Sequence, residues 1–308
     1  MPLFWGVKMT NDIAIEARNI CKTYDNGVIK VEALKNINMT VKKGEMVAVM
    51  GPSGCGKTTL LNCLSGLDDY DSGTVMVEGV ALESMSDDAK TEHRAKRMGF
   101  VFQFFNLLPV LTAVENVELP LLVSGVPPKE SRDRALKIME QVGLAEWANY
   151  KPAELSGGQQ QRVTIARSLV NDPAIIWADE PTGNLDSENS KEIMQLLHDL
   201  NVNKKVTIIC VSHDATIAKY STRLIKMQNG RIISDTNLKN AEKENEVSET
   251  NKISDKNLKN ESAKMDGISS DGKVSGSKVN ENKKEVKKEE KETKEKESKE
   301  NAKSAGKK

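Results

Sequence analysis

The amino-acid sequence predicts an α/β fold, a mostly parallel sheet covered by helices, on three observations. Met46–Met50 is an apolar run ending at a glycine-rich turn, and Lys57–Leu67 then reads as a helix. Ala174–Ala178 and Val206–Val211 are short apolar runs of the kind found in strands buried on both faces. Between them Ile193, Leu196, Leu197 and Leu200 recur at helical spacing, which supplies a crossover helix. Such strand–helix alternation is the pattern of a parallel sheet.

The remaining elements follow in chain order. Ile13–Ala17 alternates apolar and charged residues, as a strand with one exposed face does. Gly99–Phe102 reads as a strand. Leu111–Ser124, Lys129–Val142 and Gly158–Leu169 read as helices, punctuated by Pro127, Pro128 and Pro152. The stretch from about 90 to 170 is thus expected to be a helical insertion between the glycine-rich loop and the next core strand. Short strands at Arg223–Met227 and Arg231–Ser234, joined by Asn229-Gly230, close a folded domain expected over 1–235.

The 308 residues are enough for one or two domains, yet the composition is uneven. From Thr236 onward there is no Phe, Trp, Tyr or Arg. A segment so poor in apolar side chains cannot offset its conformational entropy by burial, so 236–308 is expected to be a disordered Lys/Glu-rich tail. Glu285–Glu300 can form a marginal charged helix through Glu–Lys pairs. The tail reads as a solvated spacer before it reads as a membrane-surface contact. With 45 basic and 45 acidic residues the formal charge is zero, so strong electrostatic affinity for nucleic acid is not expected. Cys21, Cys55, Cys63 and Cys210 lack metal-ligand spacing and suit reduced thiols in a cytosolic protein. No run reaches the length of a membrane span, and Met1–Val7 is too short for a signal peptide; Met9 is an alternative start.

Chemistry concentrates in two strings. In Gly51-Pro52-Ser53-Gly54-Cys55-Gly56-Lys57-Thr58-Thr59 the glycines let backbone N–H groups approach phosphate oxygens, and the following helix points its positive end at the same anion. Lys57 reaches the β- and γ-phosphates of a nucleotide and the Thr58 hydroxyl binds Mg²⁺. Ile175–Glu180 is a buried strand ending in two carboxylates that project in different directions. Asp179 is expected at the metal, and Glu180 beside the γ-phosphate, polarising the attacking water. His213 follows the strand Val206–Val211 at the sheet edge where ligands collect, and its imidazole can hydrogen-bond the γ-phosphate. Gln103 follows Gly99–Phe102, where its amide can ligate Mg²⁺ and orient water. Tyr24 can stack on adenine or simply pack. Phe100 and Phe102 are expected in the core; Phe104 and Phe105, with Asn106–Pro109, are expected exposed, as a groove for a partner helix or as a satellite core.

Leu155-Ser-Gly-Gly-Gln-Gln-Gln-Arg162, downstream of the glycine-rich string, completes the pattern. From Ile13 to Ser234 the chain resembles the nucleotide-binding domain of ATP-binding cassette (ABC) transporters, with every motif in that family's order. The resemblance implies a P-loop NTPase fold with an antiparallel β subdomain, and ATP with Mg²⁺ as ligands. It makes Tyr24 the adenine platform, Gln103 the Q-loop residue, Glu180 the catalytic base, His213 the switch histidine and Asn184-Leu185-Asp186 the D-loop. It sets Ser156, Gly157, Gly158 and Gln159 against the γ-phosphate held by a second copy, in a head-to-tail dimer. A Ser and two glycines opening a helix form an anion-binding N-terminus that suits this role. Asn184 stands where many members have Ser, and Cys55 is a common variant in the loop. The Phe104–Pro109 surface would receive the coupling helix of a membrane permease, leaving the chain cytoplasmic and peripheral on the inner face of the membrane. Gln103–Pro109 and Leu111–Val117 most resemble the lipoprotein-release and macrolide-exporter branch. Cell-division ATPases, amino-acid importer ATPases and soluble cassette switches acting on ribosomes or DNA are the alternatives.

Overall fold

The computed structural model describes residues 12–238. The expectations for the alternative starts and for the tail beyond Leu238 lie outside the described residues. Among the described residues ten strands form two sheets and six α-helices pack with them, within one compact unit.

The larger sheet has the order β10-β9-β3-β8-β7-β6. Its strands are β3 (Met46–Met50), β6 (Met98–Phe102), β7 (Ile175–Asp179), β8 (Thr207–Ser212), β9 (Arg223–Gln228) and β10 (Arg231–Asn237). The first five run parallel and β10 is an antiparallel edge. Parallel strands must be covered on both faces, which is why β7 and β8 read as unbroken apolar runs. On one face lie α3 (Ala113–Val123), α4 (Pro128–Gln141), α5 (Gly157–Leu169) and α6 (Ser187–Lys204), which contribute Val117, Leu121, Met139, Ile165 and Leu197 to one core. On the other face α1 (Lys57–Ser65) is held between the two sheets, and Leu60, Leu61 and Leu64 meet Trp177 and Ile209.

The second sheet, β2-β1-β4-β5, is antiparallel throughout. It comprises β1 (Ile13–Asp25), β2 (Lys30–Lys42), β4 (Ser72–Val77) and β5 (Val80–Ala81). Ile15, Ile20, Leu34 and Ile37 face α1 while the opposite face is charged. Asn19 and Asn36 take left-handed φ values of 53° and 55°, beside irregularities in the β1–β2 pairing. Asn tolerates that region better than most residues.

Two boundaries differ from expectation. The interval expected as a helical insertion opens with α2 (Asp87–Arg97) and then β6, which pairs with β7 and belongs to the parallel sheet; the helices against the far face span 113–169. The last strand continues past 235, because Thr236 and Asn237 still find backbone partners in Leu224 and Arg223. Backbone pairing of that kind needs no apolar side chain, so composition did not mark it. Among the described residues no helix is long and apolar enough to cross a membrane.

Candidate functional site

Strand β3 delivers the glycine-rich loop to the C-terminal edge of the parallel sheet. Gly56 caps α1 with φ 104° and no side-chain hydrogen bond, leaving the first-turn N–H groups free to face an anion. A Cβ at Gly56 would lie 2.5 Å from the Ala33 carbonyl oxygen, so both conformation and space demand glycine. Lys57 is buried, and its Nζ donates to the Gly51 and Pro52 carbonyls at 2.9 and 3.1 Å. An ammonium carries three N–H bonds, so one remains for a ligand oxygen.

The two carboxylates after β7 face different neighbours. Thr58 Oγ1 donates to Asp179 Oδ1 at 3.0 Å. Burial pushes the Asp179 carboxyl above its ordinary value, opposed by the Thr58 hydrogen bond and the Lys57 charge. Glu180 has φ 47°, a conformation costing a non-glycine residue about 1–2 kcal/mol. It is held there by its N–H, which donates to the Val211 carbonyl at 2.9 Å. This turn swings the side chain toward the end of β8. Ser212 Oγ donates to Glu180 Oε2 at 3.0 Å, and His213 Nδ1 lies 3.1 Å from Oε1.

Gln103 leaves β6 and interlocks with the loop after β7: its Nε2 donates to Asn184 Oδ1 at 3.1 Å, and Asn184 Nδ2 donates back to the Gln103 carbonyl at 3.0 Å. Beyond it the chain is pinned by two side chains from the helical layer. Arg167 on α5 donates to the Asn106 and Phe105 carbonyls at 2.6 and 2.8 Å, where both residues have left-handed φ. Buried Asn116 on α3 accepts from the Leu108 N–H at 2.7 Å and donates back to the Leu108 carbonyl. Phe104 is 75% exposed, as expected. Phe105 is only half-buried rather than fully exposed, because the left-handed turn lays its ring toward Gly157. Phe100 packs, partly buried, against the core that holds Trp177, as expected, and Phe102 is half-buried rather than fully enclosed. Their rings stack 5.9 Å apart on an edge strand and line a 350 Å³ groove with Arg94, Pro120 and Arg167.

Tyr24, Ser53, Gly54, Gly56, Lys57, Thr58, Thr59, Gln103 and Glu180 line one 720 Å³ cavity, together with the turn at Asn229 and Gly230. Asp179 joins it through Thr58, and His213 through Glu180. Cys55 is buried beneath the loop and accepts the Gly230 N–H at its carbonyl, 3.0 Å away. The hydroxyl of Thr58, the carboxylate of Asp179 and the amide of Gln103 are hard oxygen donors, a set that fits Mg²⁺.

Ser156, Gly157, Gly158 and Gln159 do not line that cavity. They start α5 with a capping box: Gln159 N donates to Ser156 Oγ at 3.3 Å and Ser156 N to Gln159 Oε1 at 2.8 Å. Gly157 and Gly158 occupy the first two helical positions, where N–H groups have no intrahelical acceptor. A Cβ on Gly158 would fall 2.2 Å from Asn189 Oδ1. Asp186 also lies away from the cavity lining and caps α6, accepting from the Glu188 and Asn189 N–H groups. Sequence reasoning did not single out Ser212, Arg167, or the pair Lys22 and Asp68 beneath Tyr24. Each acts through a contact distant in the chain, and no local pattern marks it.

Comparison with known proteins agrees with this arrangement. The model of the ABC transporter family matches residues 34–183. An uncharacterized ABC transporter ATP-binding protein of Methanocaldococcus jannaschii, MJ1508, is 49% identical over 219 residues, which are 71% of this chain and 97% of that protein. A dimeric post-hydrolysis state of the ATP-binding cassette MJ0796, bound to ADP and Pi, is similar with a TM-score of 0.68 and 44% identity, over 73% of this chain and 98% of that one. CbiO1 from Clostridium perfringens, part of the transporter complex cbiONQ, is similar with a TM-score of 0.68 and 30% identity, over 77% and 93% of the two chains. With its phosphate loop, paired carboxylates and signature helix in place, the chain belongs to the ABC transporter family and carries that family's ATP-binding ATPase domain.

Proposed function

We propose that this chain is the ATP-hydrolysing subunit of a transporter, that it pairs head-to-tail with a second copy around two ATP molecules, and that it drives a membrane permease. The observation that carries the reading is a separation within one chain. The phosphate loop, Gln103 and Glu180 line one cavity, whereas the Ser156–Gln159 helix start lies outside it. An anion-binding helix start without an anion site of its own chain is suited to the γ-phosphate of another. Solved dimers of the similar cassette MJ0796 support the same reading.

In this mechanism Lys57 and the first-turn N–H groups of α1 hold the β- and γ-phosphates, and Tyr24 offers its ring to adenine. Bound Mg²⁺ supplies positive charge against the phosphate oxygens, and Thr58, Asp179 and Gln103 would hold it. Glu180, steadied by Ser212 and His213, accepts a proton from the attacking water. Ser156–Gly158 of the second copy complete the donors around the γ-phosphate, so the dimer closes while that phosphate is present and opens once it leaves. The groove beside Phe104–Pro109, tied to Gln103 in front and to Arg167 behind, is the surface offered to the permease. Export or extracytoplasmic mechanotransmission, as in the lipoprotein-release and macrolide-exporter branch, is the favoured role on the sequence of that loop.

Glu180→Gln tests the reading. It should cut turnover by about a hundred- to ten-thousandfold and leave a stable ATP-loaded dimer in light scattering. A variant that hydrolyses normally and stays monomeric would overturn it. Capturing that variant from detergent-solubilised membranes should recover a permease with a large extracytoplasmic domain. Recovery of ribosomal proteins alone would refute the transport role and leave the ATPase standing.

A further inference from the structure

The Tyr24 ring is not held by packing alone. Its hydroxyl donates to Asp68 Oδ2 at 2.6 Å. The other oxygen of that carboxylate, Oδ1, takes the Lys22 ammonium at 2.9 Å, and Lys22 also donates to the Asp69 carbonyl at 2.6 Å. The Lys22 ammonium sits 4.9 Å from the Tyr24 ring centroid, within cation–π range. The Lys22 side chain is only 12% exposed although Tyr24 is 43% exposed, so the cation is on the protein side of the ring and the solvent side is open. Asp68 lies three residues beyond the end of α1, and Lys22 and Tyr24 lie near the end of β1. The phenol, carboxylate and ammonium therefore close a triangle that spans the β-subdomain and the phosphate-loop helix. None of this chemistry is needed to bury a tyrosine. A half-exposed ring with a charged two-point anchor is a ring whose plane is being set.

We propose that Asp68, clamped by Lys22, is a positioning residue that fixes the plane of Tyr24 and so sets how tightly the site grips the nucleobase. The inference rests on the reading of Tyr24 as the base platform. The anchor acts on the ring in two ways. The hydrogen bond pins the phenol oxygen and so restrains the swing of the ring about Cα–Cβ, while the ammonium against one face opposes rotation about Cβ–Cγ; both freedoms are otherwise lost only on binding. The ammonium beneath takes one π-face, so a single face remains for a planar ligand and stacking on it is unambiguous. The effect should fall on the base end of the nucleotide, because the proposed phosphate ligand Lys57 is held by the Gly51 and Pro52 carbonyls and not by Asp68.

The test separates the two ends of the nucleotide. Binding of ATP and of inorganic tripolyphosphate, which has no base, is measured on the full chain carrying Asp68→Asn, Lys22→Met, Tyr24→Phe or Tyr24→Ala. Asp68→Asn and Lys22→Met should weaken ATP about two- to tenfold, the range of an unfrozen side-chain torsion. Tripolyphosphate affinity should not change, and its retention also reports an intact phosphate loop in each variant. Asp68→Asn added to Tyr24→Phe should cost less than it does in the parent chain, since the hydroxyl it serves is already gone and only its hold on Lys22 remains. Equal weakening of both ligands, unaltered ATP binding, or full additivity with Tyr24→Phe would each overturn the proposal. Unchanged ATP binding in Tyr24→Ala would instead remove the platform reading itself, which distinguishes the two failures.

Discussion

The imidazole of His213 is tied to the carboxylate of Glu180, with Nδ1 lying 3.0 Å from Oε2 and 3.1 Å from Oε1. A carboxylate only accepts, so Nδ1 carries the proton in this pair. With Nδ1 engaged by Glu180, Nε2 is the ring nitrogen left to face outward. In the proposed mechanism the ring reaches a γ-phosphate through that nitrogen or by turning away from Glu180.

His213→Ala should therefore lower turnover about a hundredfold, the usual cost of one donor to developing charge, with little change in ATP affinity. Steady-state hydrolysis compared with nucleotide binding checks this. A loss of affinity matching the loss of turnover would argue that the ring serves the ground state instead.

Gly158→Ala should damage the signature helix start far more than Gly157→Ala. The added methyl at 158 meets Asn189 Oδ1 at 2.2 Å, whereas at 157 its nearest neighbour is Leu185 Cδ2 at 3.4 Å. Asn189 also donates to Asp186, so the clash propagates into the cap of α6. Thermal melts of Gly158→Ala should show destabilisation on the order of 1–3 kcal/mol, as overpacking gives, and Asn189→Ala in the same chain should recover most of it.

Arg167→Ala should loosen the loop that bears Phe104. Its guanidinium spans the Phe105 and Asn106 carbonyls, and burial pushes its pKa below the ordinary arginine value, a sign that the charge is kept there at some cost. Hydrogen exchange across 104–109 should accelerate while exchange in β3 and β7 stays as in the parent chain. Uniform acceleration would mean that Arg167 supports the whole core.

Glu78 ties the β4–β5 turn to the end of α2 through a two-point pair with Arg97, at 2.7 and 2.8 Å. The Arg97 hydrogen bond holds the Glu78 carboxyl below its ordinary value of 4.5. A depressed folded pKa contributes stability that is fully present above the unfolded value and lost as pH falls through the folded one. Glu78→Gln should thus cost no more than about 1 kcal/mol at neutral pH, given the half-exposed arginine, and nothing once acid has protonated the parent glutamate. Urea melts at neutral pH and below 4 read the difference.

What the sequence made legible was local. Met46–Thr59 declares strand, turn, helix and phosphate chemistry within a few residues, and the structure keeps those elements in place. The buried strands β7 and β8 were equally plain, since two covered faces force an apolar run. The long strand β2 passed unnoticed because Lys, Glu and Asn on its outer face and a bulge at Asn36 break the alternation. Phe105 was misjudged because its exposure depends on a left-handed turn fixed by Arg167, more than sixty residues further along. Ser212 and Asp68 share that difficulty: each matters through a partner that only the fold brings near.

Strand β3, which carries the phosphate loop, is paired on one side with β8 and on the other with β9. Both partners are translated long after it. A chain still emerging from the ribosome with residues beyond 206 unmade has the loop but no sheet to hold it. The cradle of the phosphate loop is thus finished only when the last strands of the domain arrive, and a product truncated before them lacks both neighbours of β3.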